Sequence, residues 1–163
     1  GVSVYGGYRN DGAAPWTRSD TCTTEIRSVG TRGVYFGPTA ASPTTIDGFW
    51  IYAVNAAGAS SAALTVEGST GGRIANNFIY GGDGMTTYGV DIVDGPAGSA
   101  TPLLARNAIS GGTGTALAVG VHGLRSRPAI REHCDTIDAA SGRCTHDCAN
   151  AIRFIDGMSA GCP

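Results

Sequence analysis

Short apolar segments that end at a glycine recur along the chain at a nearly constant spacing. Within each segment, apolar residues alternate with polar or small ones, which is the period-two pattern of a half-buried β-strand. When the first apolar residue of each copy is aligned, the steps between copies are 30, 30, 26, 29 and 33 residues. Repetition at this period predicts a solenoid. The six aligned positions are Val4, Val34, Leu64, Val90, Val119 and Ile152.

A second type of apolar segment alternates with the first, and its copies start at steps of 28, 30 and 26 residues. Two copies close with the same phrase, Asn-x-Ile-x-Gly-Gly, at residues 77–82 and 107–112. Because both types share one period, each repeat contains at least two strands. Strands of the same type are predicted to stack on one another in parallel sheets. The second type starts at Ile46, Ile74, Leu104 and Ile130.

Alternate residues of each strand are predicted to point inward and to stack on their equivalents about 4.8 Å away in the next coil. Asn77 and Asn107 are predicted to form a stacked amide ladder, which Asp135 or His133 continues. The predicted core columns are Val34/Phe36, Leu64/Val66, Val90/Ile92, Val119/Val121 and Ile152/Phe154 in one sheet, and Ile46, Ile74, Leu104, Ile130 with Ile51, Ile79, Ile109, Ile137 in the other.

The phrase Ile-x-x-Asn-x-Ile-x-Gly-Gly at residues 74–82 and the glycine-bounded strand at residues 89–95 carry a family resemblance. They resemble the repeats of right-handed parallel β-helix proteins, namely the pectate-lyase-like superfamily and bacterial proteins of the secreted or cell-surface type. The resemblance implies an all-β fold, a right-handed single-stranded parallel β-helix of about five to six coils with very little helix. It implies no single activity, because this fold carries lyases, hydrolases, adhesins and inert spacers.

The chain length fits one domain over residues 1–163. Residues 1–24 are predicted to form a first strand and a capping loop, residues 25–123 the regular coils, and residues 124–163 an irregular, cysteine-rich coil and tail. Trp16 in the opening loop either plugs the open end of the core or offers a platform on which a sugar ring stacks.

Composition narrows the classes of partner. The net charge is −2 and all 11 basic residues are arginine, so nothing favours nucleic acid as a partner. No segment approaches the roughly 20 apolar residues of a membrane-spanning helix. The chain begins with Gly1 instead of methionine, so we expect a mature form or a piece of a longer protein. Its cysteines favour an oxidising compartment, and hence a secreted or cell-surface location.

Four of the five cysteines lie in the last 30 residues and are predicted to form two disulfides. The preferred pairing is Cys134–Cys144 with Cys148–Cys162, which leaves Cys22 as a buried thiol or a link to another chain. The competing interpretation is a zinc site built from Cys144 and Cys148 with His133 and His146, although the spacing is not that of usual zinc ribbons.

The residues that precede the strand-ending glycines are predicted to form a polar column of Glu67, Asp94, His122 and Asp156 along one edge. Carboxylates beside a histidine suit general acid–base chemistry or calcium binding. The alternative is that these residues are polar only because turns are exposed. No cofactor is expected, calcium is the ion that this column leaves open, and no catalytic set rises above these four weak candidates.

The tyrosines Tyr52 and Tyr80 are predicted to lie one coil apart in the same column, where they form an aromatic strip that can stack on sugars together with Trp16. The two ends of a β-helix expose strand edges that can pair with another chain. We therefore expect a structural or binding module that contacts other copies of itself, adjoining coils of a longer chain, or polysaccharide. Contact between copies at these edges would assemble the module end to end into a filament. The alternative is a fragment of a polysaccharide lyase or hydrolase.

Overall fold

A computed structural model of the chain describes residues 2–9, 17–18, 22–40, 44–68, 70–95, 100–124, 126, 129–131, 136–137, 144–145 and 153–154. Among these residues the regular secondary structure is β-strand, without any helix. The strands in chain order are β1 (Ser3–Tyr5), β2 (Tyr8–Arg9), β3 (Thr17–Arg18), β4 (Thr24–Arg27), β5 (Arg32–Phe36), β6 (Thr45–Asp47), β7 (Phe49–Tyr52), β8 (Ala56–Glu67), β9 (Thr70–Ala75), β10 (Phe78–Tyr80), β11 (Asp83–Val93), β12 (Thr101–Ala105), β13 (Ala108–Ser110), β14 (Thr113–Leu124), β15 (Ala129–Arg131), β16 (Thr136–Ile137), β17 (Cys144–Thr145) and β18 (Arg153–Phe154).

Three parallel sheets contain most of these strands. Sheet 1 has the order β1-β6-β9-β12-β15, sheet 2 has the order β4-β7-β10-β13, and sheet 3 has the order β5-β8-β11-β14-β18. The chain visits sheets 1, 2 and 3 in turn, so a complete coil consists of three strands. The described strands therefore form a parallel β-helix of four complete coils and two strands of a fifth, which confirms the predicted fold class. Two antiparallel pairs, β2 with β3 and β16 with β17, lie outside the three sheets.

The core is built from columns of aliphatic side chains that stack from coil to coil. In sheet 2, Ile79 is in register with Ile51 on one side and with Ile109 on the other. In sheet 1, Ile74 is in register with Ile46 and Leu104. All six are at most 5% exposed, which confirms these members of the two predicted columns. Burying one such side chain stabilises the fold by roughly 1.5–3 kcal/mol.

The predicted position of the first strand is wrong. Val4 pairs with Ile46 in sheet 1 and not with the column of Val34, which pairs with Leu64 in sheet 3. A repeat with three strands explains the error, because an isolated period-two segment fits any of the three sheets equally well. The closing residue of the last copy, Ile137, lies on β16, which borders β13 and pairs antiparallel with β17.

The predicted register in sheet 3 is wrong by two residues in the fourth coil. Val90 pairs with Val121, while Val119 pairs with Tyr88. A register shift between Gly84 and Thr86 changes the spacing within β11 and β14, as a β-bulge does. Because side chains alternate with period two, an even displacement leaves the same residues facing the core. Val119 and Val121 are accordingly both fully buried.

Stacked asparagines form the predicted ladder at the corner between sheets 1 and 2. Asn107 Oδ1 accepts hydrogen bonds from the backbone N–H and from Nδ2 of Asn77, each at 3.0 Å. Asn77 Oδ1 accepts from the backbone N–H of Phe49 at 2.9 Å. The two side-chain amides donate to the carbonyls of Ile46 and Ile74, at 3.2 Å and 2.8 Å. The predicted continuation at Asp135 or His133 lies outside the described residues.

The residue before each ladder asparagine turns the chain sharply. Asn76 and Arg106 have φ of 54° and 53°, in the left-handed region that costs most residues energy but that asparagine tolerates. Asn76 also donates from Nδ2 to both carboxylate oxygens of Asp47, at 3.0 Å and 2.9 Å. The corner is therefore held by side-chain hydrogen bonds between coils as well as by the backbone.

Replacing Asn107 with alanine should destabilise the fold through this ladder. The backbone N–H and Nδ2 of Asn77 lose their acceptor, and the Ile74 carbonyl loses its donor. We expect the free energy of unfolding to fall by about 2–3 kcal/mol, since a buried group without a partner costs about 1–3 kcal/mol. Urea denaturation followed by circular dichroism measures this. The exposed Asn55 serves as control, and an equal loss in Asn55→Ala would contradict the role of the ladder.

Candidate functional site

Four aromatic side chains lie together on the outer face of sheet 2. Phe78 on β10 is in register with Trp50 on β7, and Tyr80 is in register with Tyr52. They alternate along the strands with the core isoleucines, so the period-two geometry directs the rings away from the core. We call Trp50, Tyr52, Phe78 and Tyr80 the aromatic platform. The four rings share one face of sheet 2 because the same register stacks one core isoleucine on the next.

The rings of the aromatic platform contact one another in a continuous patch. The centroid of the Phe78 ring lies 5.1 Å from that of Trp50 and 5.9 Å from that of Tyr52. Tyr52 lies 6.4 Å from both Trp50 and Tyr80. These separations fall within the range of favourable tilted ring pairs. Trp50 is 41% exposed and the other three rings are half-buried, so the patch is held in place yet open to a ligand.

A charged pair borders the aromatic platform on the side of the first coil. On β4, Glu25 is in register with Trp50, and Arg27 with Tyr52. The guanidinium carbon of Arg27 lies 4.4 Å from the centroid of the Tyr52 ring, in cation–π geometry. Arg27 Nε also donates to Glu25 Oε2 at 2.8 Å. The arginine is thus held by one carboxylate and one aromatic ring.

Hydroxyl and amide groups border the platform on the side that leads into sheet 3. The Tyr80 hydroxyl donates to Asp83 Oδ1 at 3.1 Å and lies 3.4 Å from Thr113 Oγ1. The backbone N–H of Asp83 donates to Asn55 Oδ1 at 3.2 Å. All four residues are at least partly solvent-accessible. The site therefore combines an apolar centre with a rim that can exchange hydrogen bonds with a ligand, which is the usual make-up of a small-molecule or glycan site.

Burial and the charges around the platform shift the pKa of the Tyr52 phenol. Burial raises the pKa of its phenol above the ordinary value, the Glu25 carboxylate raises it further, and the Arg27 guanidinium opposes them with the smallest effect. The uncharged phenol is therefore the favoured form in the fold.

A second constellation lies on sheet 3, where His122 on β14 is in register with Asp91 on β11. His122 Nδ1 and Asp91 Oδ1 are 2.7 Å apart, and the two side chains are 10% and 21% exposed. The Tyr88 ring stacks on the imidazole, with centroids 4.7 Å apart and planes inclined by 25°. Burial, and then the Asp91 carboxylate, raise the pKa of Tyr88. The carboxylate and the stacked ring together fix the orientation of the imidazole, with Nδ1 facing Asp91.

The polar column predicted from the glycine positions is not brought together by the fold. Glu67 is in register with Val93 and not with Asp94, and His122 is in register with Asp91. The Glu67 carboxylate instead accepts from the Tyr35 hydroxyl at 2.8 Å. Counting back from each glycine misplaces these residues, because the strands of successive coils do not end at the same register position.

The other predicted site residues fall into two groups. Tyr52 and Tyr80 are neighbours in one column, as predicted. Trp16 and Asp156 lie outside the described residues. Sequence reasoning does not place Trp50, Phe78 or Asp91 in a site. The period-two spacing of Trp50 from Tyr52, and of Phe78 from Tyr80, is a signal that could find the first two.

The described residues do not test the predicted disulfides or the competing zinc site. Cys134, Cys148 and Cys162 lie outside the described residues, and Cys144 is described in its backbone alone. Cys22 is a half-buried free thiol. In the described part of the chain, no group of three or more histidine, cysteine, aspartate or glutamate side chains is placed to hold a metal ion.

Comparisons of the chain with protein-family models, with curated proteins and with solved structures gave no match. Within the described ranges, no helix has the length and apolar character needed to cross a membrane.

The raised pKa of Tyr52 predicts a pH-dependent contribution to stability. This contribution is complete below the unfolded pKa of 10.0 and is lost as the pH rises through the higher folded value. NMR titration of ¹³C-labelled tyrosine should show Tyr52 ionising above that pH, and Glu25→Gln should lower its pKa. In Tyr52→Phe this part of the alkaline loss of stability disappears. Ionisation of Tyr52 at or below pH 10.0 in the wild type would contradict the assigned environment.

Proposed function

We propose that this protein is a carbohydrate-binding module built on a parallel β-helix, which holds a polysaccharide on the aromatic platform. The observation that carries the proposal is the in-register grid of Trp50, Tyr52, Phe78 and Tyr80, whose rings touch and remain accessible.

The chemistry of sugars matches such a surface. One face of a pyranose ring is lined by C–H groups and packs on an aromatic ring, while its hydroxyls require hydrogen-bonding partners at the edge. The platform has this division, since the hydroxyl of Tyr80, the Asp83 carboxylate and the Thr113 hydroxyl lie beside the rings. Strands hold the rings more rigidly than loops would, so little conformational entropy is lost on binding.

The proposal includes the location of the module and its assembly. The repeats resemble those of pectate-lyase-like and bacterial cell-surface β-helices, which supports a secreted or surface-exposed location where polysaccharides are met. End-to-end assembly is compatible with it, because β1, β4 and β5 are edge strands among the described strands of their sheets, and a strand at the edge of a sheet can pair with another chain. Light scattering across a range of protein concentrations separates monomers from assemblies.

Removing the central rings should weaken binding strongly. Trp50→Ala and Phe78→Ala each delete an accessible stacking surface, so we expect each change to weaken polysaccharide binding by about tenfold, equivalent to about 1.4 kcal/mol. Affinity electrophoresis in gels that contain the polysaccharide measures the effect.

Tyr35→Ala is the matched control, because Tyr35 is an exposed aromatic residue on sheet 3. Its binding should equal that of the wild type, with all variants checked by circular dichroism. A wild type that binds no polysaccharide, or platform variants that bind as well as Tyr35→Ala, would contradict the proposal.

A second candidate function, a carbohydrate-active enzyme, is favoured by the Asp91–His122 pair. An imidazole that is oriented by a carboxylate can serve as a general acid or base through its second nitrogen. The Thr65 hydroxyl is in register with Asp91, is buried, and has no hydrogen-bond partner among the described residues. An unpaired buried hydroxyl one coil away from the carboxylate that orients the imidazole is unusual in a purely structural column.

If the pair is catalytic, His122→Gln and Asp91→Asn should each remove polysaccharide cleavage, by at least the roughly 10²-fold typical of a lost general acid or base. Both hydrolysis and elimination create reducing ends, and only elimination creates an unsaturated product, so the two assays together distinguish the reactions. Glu67→Gln is the control, because Glu67 belongs to a different column, and it should keep the wild-type rate. Cleavage that survives in His122→Gln would exclude the histidine as the catalytic group.

A further inference from the structure

We infer that the aromatic platform selects neutral polysaccharides and disfavours polyuronates and other anionic polymers. The inference rests on the proposed function and adds the substrate class. It follows from the charges around the rings and from the contacts in which those charges are already engaged.

Among the described residues, the platform and its borders carry two carboxylates and one guanidinium. These belong to Glu25 and Arg27 on β4 and to Asp83 at the start of β11. Of the other arginine side chains described in the regular coils, Arg32 lies on sheet 3 and Arg73 on sheet 1. Arg106 lies at the corner that leads into β13, and the Asp47 carboxylate at the same corner offsets its charge in the local sum. The local charge that these groups place next to the rings is therefore negative.

The Arg27 guanidinium beside the rings is already engaged. Arg27 Nε lies 2.8 Å from Glu25 Oε2, and the guanidinium carbon lies 4.4 Å from the Tyr52 ring centroid. To neutralise a ligand carboxylate, Arg27 would have to leave both partners, and the freed Glu25 would then repel the same ligand. The field at Tyr52 agrees, since Glu25 raises its pKa by more than Arg27 lowers it.

Asp83 adds a second barrier to anionic ligands at the border that leads into sheet 3. Its carboxylate accepts from the Tyr80 hydroxyl at 3.1 Å, so it stands where the edge of a bound sugar would lie. A neutral sugar can donate a hydroxyl proton to this carboxylate. A uronate at the same place would bring two carboxylates together, which is unfavourable.

The apolar centre is suited to a sugar with an unbroken C–H face. Trp50 and Phe78 have centroids 5.1 Å apart in adjacent coils, and the next column lies two residues further along the strand, about 6.7 Å away. A flat neutral polymer such as a glucan or xylan can cover this grid without placing any charge on it.

The experiment compares neutral and anionic polymers on the same protein. Affinity electrophoresis uses β-glucan and xylan as neutral probes, and polygalacturonate and alginate as anionic probes. We expect at least one neutral polymer to bind at least tenfold more tightly than either polyuronate. That binding should not weaken when salt is raised from about 50 mM to about 500 mM, because no charge pair is formed with the ligand.

The double variant Glu25→Gln/Asp83→Asn tests the cause of the selectivity. Both changes preserve the shape of the side chains, and the amide oxygen introduced at position 83 can still accept from Tyr80. The variant should bind polyuronates at least fivefold more tightly than the wild type does. Trp50→Ala should weaken both kinds of binding.

The outcomes distinguish a failure of the inferred charge selectivity from a failure of the proposed carbohydrate-binding function. If polygalacturonate or alginate binds the wild type more tightly than the neutral polymers, or if the double variant gains nothing for polyuronates, the inference is overturned while the carbohydrate-binding function stands. If none of the polymers binds, the proposed function itself is overturned.

Discussion

The structure depends on the in-register stacking of one coil on the next. In a parallel β-helix, the backbone hydrogen bonds of a strand run to the coils on either side, as the bonds from Ala53 N–H to the Tyr80 carbonyl and from Asn76 N–H to the Ala105 carbonyl illustrate. Each stacked residue is therefore paired with a residue one repeat away along the chain. One register decides at once which side chains share a core column and which share a column on the surface.

The asparagine ladder links this register to the candidate site. Asn77 Oδ1 holds the backbone N–H of Phe49, the residue just before Trp50, and Asn107 Oδ1 holds the backbone N–H of Asn77, the residue just before Phe78. The ladder thus fixes where β7 and β10 begin. Since side chains then alternate, the isoleucines enter the core and the rings emerge as a grid. A surface suited to flat ligands is a direct consequence of how the corner is built.

Much of this can be predicted from the sequence, because some signals recur unambiguously. The Asn-x-Ile-x-Gly-Gly phrase places Ile79 beside Ile109 and Asn77 beside Asn107. The glycine-ended segments are less informative, because their turns vary in length and the offset between copies cannot be counted from sequence. Val4 is consequently assigned to the wrong sheet, and Val119 is displaced by two residues.

The Asp91–His122 pair cannot be predicted from the sequence, because the offset between copies is not known. Asp91 lies between two core residues and not beside a glycine, so only the bulged register of β11 and β14 brings it to His122. Trp50 and Phe78 are missed for a different reason. An apolar run predicts burial, and only the pairing of strands shows which member of the run faces outward.

Methyl NOE spectroscopy on isoleucine-labelled protein tests the stacking register most directly. The account predicts that Ile79 contacts both Ile51 and Ile109, while Ile51 and Ile109 do not contact each other, because they lie two coils apart at about 9.6 Å. If Ile79 lacked contacts to these two residues, or if Ile51 contacted Ile109 directly, the register would be wrong and the aromatic platform would not exist.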